Sequence, residues 1–212
     1  MHNLKLARMV FEIQSRFAIS DALQDAFMRV DREMFVDDKG MQNVAYTLDA
    51  LPIAGNQWIS SPLTVAKMTH HLQAEGADNV LEIGCGSGYQ AAILSHIARR
   101  VFTIERIETL LLKARARIEA LKIRNINLRL DDGQNGWKQF APYDRILFSA
   151  AIAQIPNPII EQLADGGILI APLIRGNQQI ITRFEKHRGI FKETQQIEEC
   201  AFVFVQDGIV RC

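Results

Sequence analysis

Residues 80–90, VLEIGCGSGYQ, restrict the fold more than any other stretch of the chain. An apolar run of strand length ends in Gly84-Cys85-Gly86-Ser87-Gly88, and YQAAILSHIA follows with the spacing of an amphipathic helix. Glycines in such a loop reach positive φ and let a ligand approach the main chain closely. A strand this short and apolar is buried on both faces, which happens inside a parallel sheet flanked by helices. The neighbouring sequence agrees. RVFTIE, INLRL, DRILFSA and GGILIAPL are further strands, and ETLLLKARARIEAL and PNPIIEQLA are helices between them. This alternation predicts an α/β fold with a doubly wound, mostly parallel, Rossmann-like sheet. After it, QIITRF and CAFVFV have no convincing helix between them, only EKHRGIFKETQQIEE, so they are expected to form an antiparallel C-terminal edge.

The region before the glycine loop reads differently. Leu4, Leu6, Met9, Val10, Ile13 and Phe17 recur at near-helical spacing, and Ser20 or Asp21 can cap a second helix running to Val30. DDKGMQ (37–42) is a turn-rich break. LPIAGNQWISSP (51–62) contains Gly-Asn-Gln-Trp, suited neither to a helix interior nor to a strand interior, and reads as a loop. A helix over 62–72 follows, entered through Ser60 or Ser61 as cap with Pro62 in its first turn. A length of 212 residues suits one domain. Its expected parts are a helical, substrate-side segment (1–75), a cofactor-binding core (76–175) and a strand-rich edge (176–212).

Charge and cysteine usage narrow the function. The 24 basic side chains balance 24 acidic ones, which gives no footprint for a phosphate backbone, so no nucleic-acid partner is expected. The basic runs Arg99-Arg100 and Lys113/Arg115/Arg117 are assigned to solvated helix faces. Cys85, Cys200 and Cys212 are scattered without metal-ligand spacing, so free thiols in a reducing compartment and no metal are expected. The N-terminal MHNLKLARMVFEIQSRF carries charges throughout and has no apolar signal core, and no run approaches the ~18 apolar residues of a membrane helix. The expectation is a cytoplasmic monomer with no membrane partner.

Three successive strand ends carry the candidate site. The loop has G-x-G-x-G spacing, and Tyr89 stands where the dinucleotide pattern G-x-G-x-x-G has its third glycine. A pyrophosphate is therefore less favoured than a nucleoside without phosphates. Glu82, just before the loop, can meet a cation such as an amino-acid ammonium. Glu105 closes the second strand, where a carboxylate can accept both ribose hydroxyls. Asp131-Asp132-Gly133 closes the third, where Asp132 can accept from an adenine amine. Together they favour S-adenosyl-L-methionine over nicotinamide dinucleotides.

With these residues in place, the chain resembles the protein-L-isoaspartate O-methyltransferases, a family of the class I S-adenosylmethionine-dependent fold. The resemblance spans nearly the whole chain: VDREMFV, LPI…Q-x-IS-x-P, VLEIGCGSGYQAA, VFTIERI, DDG…GW, APYD and L-x-x-GG-x-L-x-x-P. It implies methyl transfer to the α-carboxylate of L-isoaspartyl residues in damaged proteins and peptides, the ester then collapsing to a succinimide that partly hydrolyses to aspartate. It implies a catalytic Ser60 that orients the acceptor carboxylate, although Ser60 is equally placed to cap the following helix. It implies cofactor contacts from Ile59, Glu82, Gly84, Gly86, Ser87, Gly88, Glu105, Arg106, Asp132 and Gly133, with Gln178 supporting the site. The substrate backbone is expected to pass FSAA (148–151), and the Asn/Asp-Pro-Pro-aromatic tetrad of amino-group methyltransferases is absent there.

The loop also departs from the family's usual G-x-G-Q-T-I-S-Q-P: Asn56 replaces glycine, Trp58 threonine and Ser61 glutamine. Asn tolerates left-handed geometry, so the first change is mild. Trp58 is expected to cover the reacting end of the cofactor pocket, because burying an indole is strongly favourable. Trp58 keeps in view a methyltransferase acting on another carboxylate or a small molecule; a nucleoside-binding module without turnover is the alternative from a different class.

Overall fold

In the computed structural model, which describes residues 2–211, the strand before the glycine loop lies inside a seven-stranded sheet. That strand is β3 (Asn79–Ile83). On one side it pairs in parallel with β4 (Arg100–Glu105), which pairs with β5 (Ile126–Leu130); on the other it pairs with β6 (Tyr143–Phe148). β7 (Leu163–Arg175) runs parallel to β6, and β8 (Gln178–His187) and β9 (Ile190–Cys200) complete the sheet antiparallel. The order β5-β4-β3-β6-β7-β8-β9 reverses direction at β3. The glycine loop thus leaves the sheet at its topological switch point, where open parallel sheets form a crevice beyond the carboxyl ends.

Helices α4 (Tyr89–Ser95), α5 (Glu108–Ala120) and α6 (Asn157–Gln162) connect the parallel strands. The N-terminal helices α1 (His2–Arg16) and α2 (Asp21–Arg29) pack onto this layer rather than standing apart. Met9, Ile13, Phe27 and Phe35 share one buried cluster with Tyr89, Ile93 and Leu110. Of the two expected caps of α2, Ser20 is the one used: its hydroxyl accepts from the Leu23 amide, and Asp21 is the first helical residue. Instead of a plain break, residues after Asp38 form a 3-10 helix (Lys39–Val44) whose first turn that aspartate caps.

Two segments differ from the sequence expectation. LPIAGNQWISSP is not an irregular loop: β1 (Leu51–Ile53) and β2 (Gln57–Ile59) form a hairpin, with Leu51 opposite Ile59 and Pro52 opposite Trp58. Its turn uses φ of 68° at Gly55 and 53° at Asn56, the left-handed geometry that Gly-Asn favours. At the C-terminal edge, the partner of β8 is IFKETQQIEEC, not CAFVFV, which leaves the sheet after Cys200 and makes an isolated bridge from Phe204 to Ala151, beyond the end of β6. Arg188 and Gly189, with φ of 51° and 74°, make the two-residue turn that sends β9 straight back along β8.

Helix α3 (Pro62–Leu72) settles the capping question. Ser61, not Ser60, is its N-cap: the Ser61 hydroxyl accepts from the Leu63 amide at 3.2 Å and donates to the Leu48 carbonyl at 2.7 Å. Among the described residues no helix is long and apolar enough to cross a membrane. Cys85 and Cys200 are free thiols, and Cys212 lies outside the described residues.

Candidate active site

The glycine loop, the tip of β4 and the hairpin converge on one cleft. It is lined by Ser60, Ile59, Glu82, Gly84, Gly86, Ser87, Glu105, Arg106 and Gly133, nine of the residues expected from sequence. Glu105 builds its upper wall. Its Oε2 accepts from the Gly86 amide at 2.7 Å, and its Oε1 accepts from the Arg106 and Ile107 amides at 2.9 Å each. The carboxylate therefore shapes the loop and has one acceptor site left, on Oε2. Burial raises its pKa, against the lowering effect of those three backbone N–H groups.

Glu82 lies deeper, fully buried on β3. The parallel register sets it beside Thr103 of β4, whose hydroxyl donates to Oε2 at 2.6 Å; the Ser149 hydroxyl donates to Oε1 at 3.0 Å. Burial pushes its pKa up to about 8, the two hydroxyls oppose the shift, and the Glu105 charge adds to it. No cation is hydrogen-bonded to this carboxyl among the described residues, so a ligand cation there would favour its ionised form and draw off the proton that burial retains.

Three expected cofactor residues stand elsewhere. Gly88 opens α4 with φ of 90°, and a Cβ there would come within 3.3 Å of Ala114 Cβ, so this glycine serves the approach of α5. Asp132 is occupied by backbone: Oδ1 accepts from the Gln134 amide at 3.0 Å and Oδ2 from the Gly208 amide at 2.8 Å. Neither residue lines the cleft, whereas Gly133 does. Gln178 begins β8, exposed, and its amide donates to Glu199 at 3.3 Å.

Arg106 lines the cleft but spends its guanidinium on the C-terminal segment. It donates to the Gly208 carbonyl at 3.0 Å, the Gln206 side chain at 3.1 Å and the Asp207 carbonyl at 3.1 Å. That segment, through Val203, Phe204, Val205 and Gln206, closes the cleft. Sequence reasoning missed it, together with Thr103; Ser149 lies in FSAA, the segment expected along the substrate backbone, and Tyr89 was marked only by its place at the third-glycine position. The Tyr89 hydroxyl is buried without a hydrogen-bond partner among the described residues, while Tyr89 borders the cleft.

A second cleft adjoins the first, between the hairpin and the chain leaving β9. Its walls include Ala50, Thr64, Glu198, Cys200 and Phe202. Trp58, Ser60, Ser149 and Val203 line both clefts. The indole does not form a buried lid: Trp58 is 55% exposed, because β2 is the edge of a two-stranded hairpin with solvent on its outer face.

The basic run on α5 is only partly a solvated face. Arg115 is exposed, but Arg117 pairs with Asp37 and donates to the Ser87 carbonyl at 3.1 Å, and Lys113 reaches Asp37 at 3.0 Å. His70 and His71 pack against Phe17, away from both clefts. Among the described residues no group of three or more His, Cys, Asp or Glu can hold a metal ion.

Comparison with known proteins agrees with this architecture. The family model described as protein-L-isoaspartate(D-aspartate) O-methyltransferase matches residues 4–209. A protein-L-isoaspartate O-methyltransferase of Helicobacter pylori (strain P12) is 49% identical over 209 residues, spanning 99% of this chain and 100% of the relative. One from Maricaulis maris (strain MCS10) is 41% identical, spanning 92% and 91%. Among solved structures, a protein-L-isoaspartate O-methyltransferase superposes with a TM-score of 0.88 at 24% identity, covering 96% of this chain and 67% of the other. A Plasmodium falciparum structure described as a putative enzyme of that name, in complex with S-adenosyl-L-homocysteine, gives 0.83 at 19% identity over 97% and 98%. With a family model and full-length relatives both matching end to end, the chain belongs to the protein-L-isoaspartate(D-aspartate) O-methyltransferase family.

Proposed function

We propose that the first cleft binds S-adenosyl-L-methionine and that the second presents the α-carboxylate of an L-isoaspartyl residue to it. The cofactor supplies an electrophilic methyl group on a sulfonium. The residues present fit it: Glu105 lines the cleft with one acceptor site left by the backbone, and buried Glu82, contacted by no cation among the described residues, can ionise against an ammonium.

One observation carries the acceptor assignment. The side chains shared by the two clefts are Trp58, Ser60, Ser149 and Val203, and none of them is a base near neutral pH. An amine or alcohol acceptor would need a proton removed at that junction. A carboxylate is already nucleophilic, so this chain has only to orient it and exclude water. Ser60 donates to one acceptor oxygen, and Ser149, held by Glu82, fixes the floor beneath it. We place the enzyme in the cytoplasm, acting as a monomer on aged proteins and peptides.

The direct test is methyl transfer from labelled cofactor to an isoaspartyl peptide beside its aspartyl twin. Transfer to the first alone is expected; equal transfer, or none, removes the proposal. Ser60→Ala should lower kcat up to about tenfold, the loss of one neutral hydrogen bond, with cofactor affinity unchanged. Since Ser61 caps α3, the melting temperature should hardly move. A cap-sized loss of about 1 kcal/mol with normal turnover would make Ser60 structural. Trp58→Thr should retain isoaspartyl methylation within a factor of ten, about 1.4 kcal/mol of barrier. A gain from an inactive wild type would instead show that the indole redirects specificity.

A further inference from the structure

The arginine of the segment VDREMFV, Arg32, is 0% exposed. Arg32 donates to four main-chain carbonyls. Nη1 reaches Ala45 at 2.6 Å and Thr47 at 3.4 Å; Nη2 reaches Asp49 at 2.9 Å and Ser60 at 3.0 Å. Burying a guanidinium among neutral carbonyls is costly, and an apolar side chain would serve packing better. The four acceptors trace the strap that leads from the 3-10 helix through the hairpin to the clefts. On its other side the guanidinium carbon lies 5.7 Å from the ring centroid of Tyr89, the first residue of α4.

The Ser60 carbonyl is the informative acceptor. Helix α3 begins its own hydrogen bonding one residue later, with Val65 donating to Ser61, and β2 ends one residue earlier at Ile59. Ser60 therefore sits between two elements, and the Arg32 fork ties it back to the strap. We propose that Arg32 is a positioning residue for methyl transfer: by clamping the Ser60 carbonyl together with residues 45–49 it fixes where the Ser60 hydroxyl points at the junction of the clefts. The proposal rests on the reading of Ser60 as the group that orients the acceptor.

Arg32→Lys tests it, because an ammonium is a point charge that cannot reproduce the planar fork. Arg32→Gln, neutral with a single amide, gives a second variant should the lysine chain not fold. Either should lower kcat at least threefold on an isoaspartyl peptide, with the affinity for S-adenosyl-L-homocysteine within twofold of wild type. In a Ser60→Ala background the same change should cost less than 1.5-fold, since the group it positions is gone. Equal losses in the two backgrounds, or no loss in either, overturn the proposal. Hydrogen exchange on the full chain reads the clamp without turnover: amides of 59–61 should exchange faster in the variant while those of 84–88 do not. Unchanged exchange at 59–61 overturns the clamp. An inactive wild type with faster exchange at 59–61 would remove the acceptor reading and keep the clamp.

Discussion

Glu105→Ala should weaken S-adenosyl-L-methionine binding more than tenfold in calorimetry. The backbone leaves the carboxylate about one acceptor site for the ribose hydroxyls, and a hydrogen bond to a charged group contributes roughly 1.5–3 kcal/mol. The structure adds a second route to the same loss. Glu105 also accepts from the amides of Gly86, Arg106 and Ile107, so alanine leaves three donors unsatisfied and removes one tie between the glycine loop and β4, leaving those of the Gly84 and Cys85 amides to the Ile104 carbonyl. Glu105→Gln keeps the volume but turns an amide nitrogen toward backbone donors, so it should disturb the loop almost as much. A folded alanine variant that binds the cofactor with wild-type affinity would remove Glu105 from the ribose site.

The glycine loop and the β-α alternation were legible because both are local: each strand and helix carries its own apolar period, and the loop carries its own glycines. The hairpin at 51–59 was legible too, but its signal was Gly55-Asn56, a turn pair, and the Trp beside it drew the reading toward an irregular loop. Strand β9 was hidden for a physical reason. It lies at the sheet edge, its side chains are mostly exposed, and KETQQIEE has no apolar alternation to show. The partners of Glu82 depend on register: Thr103 and Ser149 reach it only because β4 and β6 flank β3 at a particular offset, which no single stretch of sequence encodes. The surroundings of Asp132 were hidden for the same kind of reason. Its strand-end position suits a base acceptor, but Gly208, 76 residues away, supplies the amide that occupies Oδ2. Arg106 makes the corresponding long-range tie to 206–208, so the wall of the cleft is closed by a segment that sequence reading had placed in the sheet.

Glu82 should couple cofactor binding to pH. In the free protein its carboxyl holds a proton up to about pH 8, whereas the unfolded chain releases it near its ordinary value of 4.5. Between those values the native state binds more protons than the unfolded one, so this group's contribution to stability is complete below about 4.5 and is lost as pH rises toward 8. An ammonium arriving beside it reverses the balance, favouring the carboxylate and expelling the proton. Calorimetry at pH 7 in two buffers of different ionisation enthalpy should therefore show net proton release on cofactor binding, fading above about pH 8, where Glu82 is already ionised. Glu82→Gln imitates the neutral acid and keeps acceptor and donor atoms for Thr103 and Ser149. It should match wild-type stability near pH 6, exceed it near pH 9, and release no proton. Its cofactor affinity at pH 8 should fall at least tenfold, because a buried ammonium without its counter-charge loses more than one ordinary hydrogen bond. Wild-type affinity in that variant, or the same proton release, would mean that the ammonium lies elsewhere and that Glu82 is buried only to bridge β4 and β6 through its two hydroxyl partners.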